Sequence, residues 1–103
     1  MDDKNKTDNV IELTEPATAH GKEITSITLR KPIGGDVIEC GHPMTMISDG
    51  DGGLEMKINP RIIGKLISRL GDVPLSTVKG LEVDELMEGQ KIIMSFFGNA
   101  QKT

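Results

Sequence analysis

The chain has 103 residues, 36% of them hydrophobic and only two aromatic, Phe96 and Phe97, with a net charge of -4. This length sets one compact domain as the expectation. An acidic balance with both signs mixed argues against nucleic acid as the main partner, since phosphate binding needs a basic surface.

Cys40 is the only cysteine, so no internal disulfide can form. Residues 1–9 hold no apolar side chain after Met1 and read as a disordered tail. They lack the basic and apolar regions of a secretion signal. No apolar run approaches the roughly 18 residues of a membrane helix. A cytoplasmic protein with no membrane partner is the expectation.

Residues 10–16 alternate, with Ile11 and Leu13 on one face and Glu12 and Thr14 on the other. Residues 24–30 repeat the pattern with Ile27 and Leu29 inward. Between them Gly21 can take the positive φ of a turn beside His20. The two runs therefore predict a hairpin, with Leu13 opposite Ile27, Ile11 opposite Leu29, and Pro16 and Pro32 at strand ends. Such a hairpin is marginal alone and needs something beneath its apolar face.

Residues 32–53 are ambiguous. Val37 and Ile38 suit either a third short strand or a helical turn begun at Asp36, and "SDGDGG" at 48–53 has the composition of a flexible loop. From Leu54 the pattern reads as helical. Asn59-Pro60 is an N-cap followed by proline at the first helical position. Ile62, Ile63, Leu66, Ile67 and Leu70 then follow 3.6 spacing, with Arg61, Lys65 and Arg69 opposite and Gly71 as the stop. A single turn is expected over Thr77 to Gly80. Asp84 is expected to cap a last helix that runs to Gly98.

In that helix Val83, Leu86, Met87, Gln90, Ile93, Met94 and Phe97 fall within about 120° and form the predicted core face. Ile92 and Phe96 fall outside that arc. They serve either as a second buried contact against the hairpin or as a partner-binding patch. Ile92 and Phe96, with Met94 beside them near the helix end, are candidate partner-binding residues. Arg61, Lys65 and Arg69 are candidates for meeting an acidic partner.

The chemical motifs fail on spacing. A calcium loop begun at Asp49 would place Leu54 where glycine is needed and Pro60 where a bidentate Glu is needed. Cys40 and His42, with His20, fall short of the four ligands of a zinc site. A Cys-His nucleophile pair two residues apart in a Gly-Pro loop lacks an orienting third group. No glycine pattern matches a phosphate loop. No metal, cofactor or catalytic residue is expected.

The order of segments carries a resemblance. "ITLRKP" (27–32), "IIGKLISRLGDVPLSTVKGL" (62–81), "DELM" (84–87) and "SFF" (95–97) together resemble the tail assembly chaperone family of contractile-tailed bacteriophages, of the Mu-like and P2-like type. The stretch "ECGHPMTMISDGDGG" (39–53) matches no pattern of that family. The resemblance implies a non-enzymatic assembly factor. It would coat the long, helix-rich tape measure protein and keep it soluble until tube subunits polymerise around it. It would be absent from the finished virion. The tail tube protein is a second candidate partner, and self-association through the last helix would suit a coat of many copies. The competing reading is a small tail or baseplate adaptor that stays in the particle. The expected architecture is α+β, an N-terminal β-hairpin packed on a small C-terminal helical bundle. The expected domain spans 10–98, with a short tail at 99–103.

Overall fold

A computed structural model describes residues 9–102, and the side chains of residues 9–98. The tail expected over 1–9 lies, apart from Asn9, outside the described residues, as does Thr103. The fold is α+β. Two antiparallel hairpins, β1 (Val10–Ala19) with β2 (Lys22–Thr28) and β3 (Met44–Ser48) with β4 (Leu54–Ile58), combine with four helices among the described residues. These helices are α1 (Gly34–Cys40), α2 (Pro60–Gly71), α3 (Leu75–Lys79) and α4 (Val83–Lys102).

The first hairpin turns through His20 and Gly21, both at positive φ (56° and 77°). That is the primed two-residue turn whose twist suits flanking strands. The register differs from expectation. Ile11 faces Ile27, and Ala19 faces Lys22, with an irregularity between Glu12 and Ala17. Carried unbroken from the turn, the ladder would set Ile11 opposite the cation Arg30. The irregularity restores an apolar pair, and Ile11, Ile27 and Leu29 are all buried. Around Ile11 the slip from the expected register is two residues, which leaves Ile11, Ile27 and Leu29 on their intended face, whereas beside the turn it is one residue. Pro16 consequently lies within β1 at the irregular segment, where no ladder donor is required.

Residues 33–40 resolve as helix rather than strand. The Asp36 carboxylate accepts the Ile33 N–H at 2.8 Å, which holds the first turn. Leu54–Ile58 forms a strand, not the start of a helix, and pairs with Met44–Ser48 in unbroken register, Met46 opposite Met56. Asp49 closes their turn by accepting N–H groups from Asp51 (2.8 Å) and Gly53 (3.0 Å). Those two bonds, Asp51's first, lower its pKa.

α2 matches its reading closely. The Asn59 side chain accepts from the Arg61 and Ile62 N–H groups, and Ile63, Leu66, Ile67 and Leu70 are buried. The left-handed cap is Asp72 (φ 55°), one residue beyond the expected stop. Gly71 is needed for another reason. A β-carbon there would collide with Ile27 and come within 3.2 Å of Leu29, so the helix end lies directly against β2. The same junction carries the Arg30 N–H to Leu70 carbonyl bond (3.2 Å) and the His20 Nε2–H to Asp72 carbonyl bond (3.0 Å).

α4 begins at Val83, two residues before the start that an Asp84 cap would set, and runs past the expected end at Gly98. Glu85 reaches back to accept the Glu82 N–H at 2.9 Å, which makes Glu82, not Asp84, the capping position. The helix is also rotated from its predicted face. Glu85, Gly89, Ile92, Ile93 and Phe97 point inward, while Val83 is 72% exposed and Met87 49%. Gly89 causes the rotation. Its missing side chain lets α4 close on α2 and β1, since a β-carbon there would lie 2.6 Å from Ile67 and 2.9 Å from Ile11. Glu85 adds a second tether by accepting the Thr14 N–H at 2.7 Å. No helix among the described residues is long and apolar enough to cross a membrane.

Candidate functional site

The six candidate residues separate. Ile92 is 4% exposed and belongs to the core, so the expected unused apolar side of α4 is not formed by it. This matches the alternative of a second buried contact. Met94 and Phe96 are half-buried and pack against the same core. Phe96 also lines a shallow depression of about 210 Å³ with Ile33 and Val37.

The basic stripe divides as well. Arg69 Nε donates to Asp36 Oδ1 at 2.6 Å. Arg30 donates to both oxygens of the same carboxylate, at 2.8 and 2.9 Å. Asp36 is fully buried, and the Arg30 hydrogen bonds, helped by Ile33 and Arg69, hold its carboxyl well below the usual range against the opposing cost of desolvation. Arg69 is therefore committed to joining α1, α2 and the end of β2.

Arg61 and Lys65 remain on the surface and line a groove of about 490 Å³. Asn59 and Pro60 start α2 so that these two cations stand one turn apart on its outer side. α3 forms the opposite wall. Gly64 faces Val78 across the helix contact, where a β-carbon would sit at an ordinary packing distance of 3.8 Å. Leu75, Val78, Leu81 and Leu86 supply the apolar lining, and Lys79 adds a third cation from across the groove.

A second apolar surface lies on the β3–β4 hairpin. Met46, Leu54 and Met56 share one face, as alternation in the ladder requires, and are 58%, 68% and 51% exposed. At the base of that face Met44 and Ile58 pack on the core, and the Asn59 N–H donates to the Pro43 carbonyl at 3.0 Å. The hairpin is an arm, anchored at its root and uncovered beyond it. The alternation of "MTMIS" and "LEMKI" around a glycine-rich turn is the sequence signal for it.

Cys40 is half-buried at the end of α1, and burial pushes its thiol pKa up. The His42 ring lies 5.1 Å from that of Phe97, and its Nδ1 is within 3.0 Å of the Met44 carbonyl and 3.2 Å of the Met44 N–H. Among the described residues no three His, Cys, Asp or Glu side chains gather as a metal-binding group.

The family model for "Phage tail assembly chaperone proteins, E, or 41 or 14" matches residues 10–98. The chain belongs to this phage tail assembly chaperone family. Its role is in tail assembly. Searches of curated proteins and of solved structures returned no significant match. The match spans the chaperone's core, groove and arm alike, including residues 39–53, which hold β3 and are not among the stretches that carry the resemblance.

Proposed function

We propose that this chaperone binds the tape measure protein and keeps it soluble while the tail tube assembles, and that it is not retained in the virion. It works in the cytoplasm of the bacterial host, on a contractile tail, and without a reaction of its own. Family membership supports the general role. The observation that carries the specific reading is the uncovered apolar face of the arm, with Met46, Leu54 and Met56 more than half exposed. Methionine is flexible and polarisable, and it adapts to partners whose apolar side chains vary along their length. A long helical protein waiting for its tube presents such a surface in many places. Many copies of the chaperone would then be needed on each partner, and the tail tube protein is the next candidate to meet the coated assembly.

Co-expression with the tape measure protein of the same phage tests this reading. The expected result is a soluble tape measure protein that co-purifies with the chaperone. An insoluble, unbound tape measure protein would refute it. Mass spectrometry of purified virions should find no chaperone. Its stoichiometric presence would instead identify a tail or baseplate adaptor.

A further inference from the structure

The groove between α2, α3 and the start of α4 has a chemistry that the arm lacks. Its floor is aliphatic, from Leu75, Val78, Leu81 and Leu86, and its rim is cationic, from Arg61 and Lys65 on one wall and Lys79 on the other. No carboxylate among the described residues lines it. In a chain of net charge -4, three cations around one groove are a local departure from the overall balance.

We infer that this groove seats a short amphipathic helix whose apolar stripe is flanked by carboxylates. The inference rests on the chaperone reading above and deepens it by naming the kind of segment recognised. Arg61 and Lys65 are four residues apart on α2, a spacing of about one turn and 6 Å. Carboxylates four apart on a docked helix present the complementary spacing. A volume of about 490 Å³ admits a few aliphatic side chains and not a whole helix, so the floor takes the stripe while the rim meets the flanks. A nucleic acid is a poorer fit, because the lining holds no aromatic ring on which a base could stack.

The test uses the full chain and a fluorescein-labelled peptide of about 18 residues, with leucines at i, i+3, i+4 and i+7 and glutamates beside them. A counterpart carries lysine at each glutamate position, and a fluorescein-labelled single-stranded RNA is titrated in parallel. Anisotropy should show saturable, salt-weakened binding of the acidic peptide and about tenfold or greater weakening by Lys65→Glu with Lys79→Glu. The double variant should prefer the lysine peptide. Both lysines are exposed, so the variant should stay folded. If circular dichroism shows otherwise, Lys65→Gln with Lys79→Gln replaces it. Equal binding of the acidic peptide by wild type and variant overturns the inference. So does equal binding of the two peptides by the wild type, or binding of RNA alone.

The same variant separates the two readings in co-expression. If wild type and variant solubilise the tape measure protein equally, the groove inference fails and the proposed function stands. If the wild type does not solubilise it, yet binds the acidic peptide through Lys65 and Lys79, the proposed function fails and the groove inference stands.

Discussion

Replacing Asp36 by Asn removes one charge from the junction of three elements with almost no change of shape. The carboxylate accepts four hydrogen bonds, two from Arg30, one from Arg69 and one from the Ile33 N–H. An amide cannot accept at both ends, so its NH2 must face donors on at least one side. Truncating a buried ion pair costs about 3–5 kcal/mol. The two arginines are nearly half exposed and can recover water, which places Asp36→Asn at the low end, about 3 kcal/mol. For a domain of this size that lowers Tm by about 12–24 °C. The pH dependence follows from the depressed folded-state pKa. The carboxylate's contribution is complete above its unfolded-state pKa of about 3.9 and is lost as pH falls below that toward the folded value. The gap between wild type and variant should therefore shrink by about 1 kcal/mol between pH 7 and pH 3. Urea unfolding at the two pH values measures it. A difference under about 1 kcal/mol at pH 7, or a gap independent of pH, would refute the assignment of Asp36 as a charged lock.

Glu85→Gln should cost about 1–2 kcal/mol, because one of the two N–H groups it serves, from Thr14 or Glu82, loses its acceptor. The Thr14 bond, then the Glu82 bond, lowers the Glu85 pKa, so this contribution too should be present above about pH 4.3 and fade below it in an unfolding titration. Gly71→Ala should destabilise by about 1–3 kcal/mol in chemical unfolding, since the added methyl meets Ile27. Gly98→Ala, with nothing within 4 Å among the described residues, should be neutral or gain up to about 1 kcal/mol from helix propensity. Met46→Ser with Met56→Ser should leave stability within about 0.5 kcal/mol of wild type while reducing soluble tape measure protein in co-expression. Unchanged solubilisation would remove the arm from the binding surface.

Local signals served α2 and the first hairpin well. Asn59-Pro60, the 3.6 spacing of five aliphatic residues and the His20-Gly21 turn each act within a few residues, and each element formed where those signals lie. The face of α4 was misplaced because its centre is Gly89, a residue that adds nothing to a hydrophobic wheel. The arm was missed because its two alternating runs are short and separated by a glycine-rich turn that reads as loop. Its exposed methionines suit a strand face and a helix face equally well until pairing is known.

Register and commitment of charge depend on residues far apart in the chain. Ile11 meets Ile27 only because β1 is irregular between Glu12 and Ala17, an arrangement supported by Glu85 some 71 residues from Thr14. Arg61, Lys65 and Arg69 are equivalent along one helix face, yet Asp36 claims Arg69, 33 residues away in sequence. Periodicity can say which side of a helix is polar. Only the packing of α1 and α3 against α2 separates the cation that locks the fold from the two that line its groove.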